Sequence, residues 1–192
     1  QQGADKYSNI LRLYFNTIDN MAQALLGAVG GASIRTPYGA FQDTVSHTVV
    51  ANTANVMTFN TTDLANSISI VDSSKLTVVY AGIYSIQFST QFQNYDSASQ
   101  DVSIWLRING VDVPGSTGIL GFPPRKSAGD PYHDIKGWNF FLALNASDYV
   151  ELYWSTTNSL VTIQAYPLGV GPPRPSTASN VVTLTFVSAL PA

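Results

Sequence analysis

The side chains that could do chemistry in this sequence are few: two histidines, His47 and His133, eleven aspartates, a lone Glu151 and no cysteine. A nucleophilic hydrolase needs a hydroxyl or thiol held by a base that is itself oriented by a third group. His47 stands in a Ser-His-Thr run that reads as a turn or strand edge with the ring in solvent, outside any such motif. A Gly-x-Ser-x-Gly elbow and a phosphate-cradling glycine loop are both absent from the sequence. Asp130, His133 and Asp134 lie close together and offer the nitrogen and oxygen donors a divalent ion takes. Polar loop residues bonded to one another account for the same cluster, and that is the expectation here. Glycoside hydrolysis would need Glu151 paired with another carboxylate such as Asp148, but a turn following Leu144 already gives Asp148 a role. The expectation is a protein that is not an enzyme, with no metal and no cofactor.

Composition narrows the partners. The chain has 192 residues, of which 45% are hydrophobic and only 11% charged, against roughly 25% charged in an average soluble domain. Its polar surface must therefore be mostly Ser, Thr, Asn and Gln, which suits dense packing in an assembly or work outside a cell. A net charge of −3 provides no basic field for phosphate backbones or anionic lipid, so neither nucleic acid nor membrane is expected. The longest apolar stretch, residues 22–32, is well short of the roughly 20 residues that span a bilayer, and it does not read as a signal peptide.

Two grammars divide the chain at about residue 36. From 6 to 26 neither Pro nor Gly occurs, and apolar residues recur at the three- and four-residue spacing of an amphipathic helix, with Gly27 as its stop. Leu11, Tyr14, Ile18, Met21 and Leu25 form a short heptad-like seam, expected to anchor the chain in an assembly. Residues 1–35 thus read as helix plus linker, and residues 36–192 as a β domain. There, period-two runs rich in Val, Ile, Thr, Tyr and Phe predict strands over 56–59, 67–71, 75–79, 82–92, 102–108, 138–144, 149–155, 160–165 and 181–187. Asn109-Gly110 is a type I′ hairpin signal. Tyr153 alternates with Trp154, so one of the two rings must face outward, where it could stack on a sugar or pack at an interface. The stretches 115–137 and 167–179, rich in Gly and Pro, read as long loops, and Arg125, Asp130, Tyr132, His133 and Arg174 are the side chains they offer a partner. The whole reads as an all-β antiparallel sandwich preceded by one short helix.

Four patches in order carry a family resemblance: Ala40-Phe41; Gly82-Ile83-Tyr84-Ser85-Ile86-Gln87-Phe88; the Leu106 to Val113 hairpin around Asn109-Gly110; and Leu142-Ala143-Leu144 with Ser147-Asp148-Tyr149-Val150-Glu151-Leu152. Together they resemble the C1q/TNF-like jelly roll, with Ser147 standing where that family has glycine and the last strand lacking the family's usual glycine. The resemblance implies a jelly-roll sandwich and a homotrimer. The Asn9 to Asn20 helix and the Pro37 to Thr44 entry resemble structural proteins of bacteriophage virions, particularly marine ones. That resemblance implies a trimeric component on the exterior of a particle, touching a capsid or tail protein. Decoration or cementing of the head is the expected role, and a tail or fibre tip binding a host glycan or protein is the alternative.

Overall fold

A computed structural model describes residues 11–21 and 36–191. By its internal contacts the chain divides between Thr36 and Pro37, and each unit is described by itself. In the first, residues 11–21 are α-helical (α1). Leu11, Tyr14, Ile18 and Met21 are all exposed on it, and the Thr17 hydroxyl donates to the Leu13 carbonyl 2.8 Å away, one turn back. Leu25, Gly27 and the linker lie outside the described residues.

The second unit is all-β. Its strands are β1 (Tyr38–Asp43), β2 (Asn55–Val56), β3 (Thr61–Asn66), β4 (Ile68–Val71), β5 (Lys75–Val78), β6 (Gly82–Asn94), β7 (Gln100–Ile108) and β8 (Val111–Asp112). There follow β9 (Gly118–Phe122), β10 (Tyr132–Lys136), β11 (Asn139–Leu144), β12 (Tyr149–Thr156), β13 (Val161–Ile163), β14 (Gly169–Val170), β15 (Pro173–Arg174) and β16 (Asn180–Ser188). One sheet runs β10-β6-β16-β1-β3, with β11 and β13 also on β6. The other runs β4-β5-β12-β7-β8, with β2 on β12 and β9 on β7. Their pairings are antiparallel.

Alternation decides which face each strand buries. In β6 the even positions Tyr84, Ile86, Phe88 and Phe92 point inward, while Ser85, Gln87, Ser89 and Gln91 point out. In β12 Val150, Leu152 and Trp154 are buried, so it is Tyr153 that faces outward. The two inner faces meet through aromatic rings: Phe92 of the first sheet lies 5.3 Å from Phe122 and 5.4 Å from Trp154 of the second. The Asn109-Gly110 turn takes φ of 49° and 80°, the doubly positive pair of a type I′ hairpin, and joins β7 to β8.

Two expected loops carry strands. Within 115–137, β9 pairs with β7 and β10 with β6. Both are edge strands, and their Gly-rich or charged sequences are the kind that hide an edge from pattern reading. Gly118 sits in β9 because a Cβ there would meet the Trp138 ring at 2.7 Å, so its presence marks close packing where the sequence suggests a loop. Within 167–179, β14 and β15 form a small separate hairpin, and Tyr166 bridges Thr177. Strand β3 escaped the pattern because its middle residues are exposed on both faces.

Candidate functional site

The outer face of the first sheet is built on β6, β16 and β1. Its register aligns Ser85, Thr185 and Tyr38 in one row across β6, β16 and β1, and Gln87, Thr183 and Ala40 in the next. Phe141 and Asn139 of β11 extend these rows on one side, and Leu64 of β3 extends the second on the other. Outward positions of β1, β6, β11 and β16 are short hydroxyl and amide side chains or apolar ones, with no charge. Tyr38, Leu64, Val181 and Phe141 stand exposed among them, from 38% for Val181 to 65% for Phe141. At the β1–β3 bulge Asp63 reaches the margin, where Gln42 Nε2 donates to it at 2.6 Å. Such a face can approach a copy of itself without burying an unpaired ion.

Of the loop residues expected to meet a partner, the structure brings His133 and Arg174 together through Tyr166 and leaves the others apart. The Tyr166 hydroxyl lies 2.9 Å from His133 Nδ1, and the Arg174 guanidinium lies 5.2 Å from the centre of the Tyr166 ring. Gln93, paired with His133 across β6 and β10, donates from Nε2 to the same His133 nitrogen and to the Tyr166 hydroxyl, while its buried Oε1 has no partner among the described residues. Burial pushes the Tyr166 hydroxyl up to about 12, so it stays protonated at neutral pH. Burial, helped by the charge of Lys126, holds His133 below the ordinary histidine value. The Tyr166 phenol, the His133 ring and the Gln93 amide thus form one small hydrogen-bonded cluster.

Arg125 instead donates from Nη1 to the Tyr95 carbonyl at 3.3 Å, and Asp130 closes a tight turn with Ser127 and faces Lys126 at 3.8 Å. Tyr132 donates to Asp134 at 3.0 Å, and Lys136 pairs with the same carboxylate at 2.7 Å. Burial pushes Asp134 up, but the hydrogen bonds from Lys136 and Tyr132 outweigh it and hold the carboxyl below its usual range. Asp130, His133 and Asp134 thus each have separate partners, and among the described residues no group of three His, Asp or Glu side chains could hold a metal ion.

His47 is not the solvated ring expected. Its backbone bridges Ile163, and its Nε2 lies 2.8 Å from Oδ2 of buried Asp43, which also accepts from Thr58 Oγ1 at 2.5 Å. In a catalytic relay the histidine uses one ring nitrogen for the acid and the other for the nucleophile. Here Nε2 alone faces both Asp43 and Thr58, the latter at 3.3 Å, and the set pins the 43–47 turn. Glu151 is buried and accepts from Ser74 Oγ at 2.6 Å, while Asp148 accepts from Asn145 N and Asn109 Nδ2, both at 2.7 Å.

The second sheet carries the aromatic feature. Trp105 and Tyr153, opposite one another on β7 and β12, stack outward with centroids 5.9 Å apart and planes inclined by 30°. Arg107 covers Tyr153 at 3.8 Å, and Asp112 accepts from both Arg107 Nε and Trp105 Nε1 at 2.8 Å. The Arg107 and Trp105 hydrogen bonds hold the Asp112 carboxyl below its usual value. Period two announced an outward ring at 153/154 but could not show that Trp105 would stand beside it, because cross-strand register is set by turns far along the chain. No protein-family model matches this chain, and no curated protein matches it.

Proposed function

We propose that this chain is a non-enzymatic structural protein of a virion, a homotrimer whose β units meet through the outer face of the first sheet. The observation that carries the assembly reading is that face: a broad, uncharged sheet surface on which Tyr38, Leu64, Val181 and Phe141 stand exposed. These apolar side chains stand among neutral hydroxyl and amide groups, a mixture that a copy can cover without burying an unpaired charge. The jelly-roll resemblance supplies the three-fold symmetry, and Ser147 supports it, since its φ of 69° is the backbone that glycine favours at the place where the family has glycine.

The virion setting rests on the resemblance of the helix and of the Pro37 to Thr44 entry. Exposed Leu11, Tyr14, Ile18 and Met21 give α1 an apolar surface that suits a capsid or tail protein. Of the two positions on a particle, decoration of the head is preferred. Low charge lets many copies crowd side by side. The deciding experiment is to count copies on intact particles and locate them by labelling: many over the head support the proposal, and a few confined to the tail overturn it in favour of a tail tip.

A further inference from the structure

Beside Trp105, on the sheet opposite the proposed assembly face, lies a hollow of about 300 Å³. Trp105 forms one wall, and the segment around Asn52 and Thr53 forms another, with Ser103, Ser155 and Asp101 between them. Both walls are held in place before any ligand arrives. The indole is fixed by its bond to Asp112 and its stacking on Tyr153, and the Asn52 backbone, in the left-handed region at φ 58°, donates to the Thr156 carbonyl at 2.8 Å. Among the described residues none hydrogen-bonds the Asp101 carboxylate, the Ser103 and Ser155 hydroxyls or the Asn52 side-chain amide.

We infer that this hollow is a binding site for a neutral saccharide, with Trp105 stacking on the sugar ring and Asp101, Ser103, Ser155 and Asn52 taking its hydroxyls. The inference follows from matching two kinds of surface. A pyranose has an apolar C–H face, which suits the face of an indole, and a rim of hydroxyls that both donate and accept. The hollow presents the same pair: one immobilised aromatic wall, and an acceptor carboxylate, two hydroxyls and an amide with bonding capacity left over. Its volume is at the small end of the roughly 300–1,000 Å³ of small-molecule sites, room for one sugar unit. The carboxylate of Asp101 selects against acidic sugars by charge repulsion. Preformed walls keep the ordering cost of binding low. Failure of the trimer reading would leave this inference standing, because the hollow belongs to the other sheet.

The test is ¹H–¹⁵N NMR of the whole chain, following tryptophan indole signals during titration with glucose, galactose, mannose and N-acetylglucosamine, their β-linked disaccharides, and N-acetylneuraminic acid as the acidic control. The expected result is saturable movement of the Trp105 indole signal by at least one neutral sugar, with Kd of about 1–10 mM. Trp105→Ala should weaken that binding at least about tenfold, and Asp101→Asn more modestly, while both proteins stay folded and unfold cooperatively because neither side chain lies in the core. Trp105→Tyr, which keeps a ring, should retain part of the affinity. The inference is overturned if no neutral sugar moves that signal at tens of millimolar, if binding survives Trp105→Ala undiminished, or if N-acetylneuraminic acid binds as well as the neutral sugars.

Discussion

Phe92 and Trp154 meet edge to face between the two sheets, ring centroids 5.4 Å apart at 68°, and both are shut off from solvent. They tie β6 to β12, the strands around which the two sheets are organised. Trp154→Ala should therefore cost about 3–5 kcal/mol, the usual range for removing a large buried aromatic. Trp105→Ala, on the outer face, should cost well under half as much. Denaturant unfolding of the two variants, compared at equal slope, checks the difference.

Ser147 sits in the left-handed region at φ 69°, and no side-chain hydrogen bond compensates it among the described residues. A non-glycine residue there costs about 1–2 kcal/mol, of which roughly 0.4–1 is returned because glycine loosens the unfolded chain. Ser147→Gly should raise stability by about 0.5–1 kcal/mol, seen as a higher unfolding midpoint. A lower midpoint would show that the turn is not strained.

His133 gives the loop cluster a pH dependence of defined sign. Its folded value lies below the ordinary histidine value of about 6.5, first through burial and then through Lys126. As pH falls through that window the unfolded chain takes up a proton that the folded one refuses. Stability present above about pH 6.5 is then lost progressively down to the folded value. NMR titration should place His133 below the ordinary value, Lys126→Gln should move it up, and Asp130→Asn should move it further down.

The α1 seam makes a separable prediction. Leu11 and Ile18 are 55% and 43% exposed, so Leu11→Asp with Ile18→Asp should change unfolding of the β unit by less than about 0.5 kcal/mol. Tryptophan fluorescence excited at the red edge reads that unit alone, since Trp105, Trp138 and Trp154 all belong to it. The same double variant should no longer incorporate into particles.

How far residues announce structure differs between centre and edge. Strands β6, β7, β12 and β16 are legible because one face is buried and the other wet, which forces the period of two that the sequence displays. Edge strands β9 and β10 have no fully buried face and carry Gly, Asp or Lys, so composition misnames them as loop, and β3, exposed at its middle residues, shows no period of two to read. The sites are harder still. Asn52, the β7 pair Asp101 and Trp105, and Ser155 come from three separate stretches, and only the register of β7 on β12 sets Ser103 beside Ser155 and Trp105 beside Tyr153. Asp43 and His47 were adjacent enough to see, but the burial of Asp43 was not.

Thr183 lies near the centre of the proposed assembly face, half-buried between Gln87 of β6 and Ala40 of β1. Thr183→Glu leaves the single chain free to hydrate the new charge, but in a trimer it buries an unpaired carboxylate near the axis, a cost of several kcal/mol. The variant should remain folded and lose assembly.

Sedimentation equilibrium of the unmodified whole chain at micromolar concentration tests the account most directly. A particle of three times the 20.6 kDa chain mass, reduced to one by Thr183→Glu with the fold intact, is the predicted result. A monomer for the unmodified chain, or a trimer indifferent to Thr183→Glu, would contradict assembly through this face.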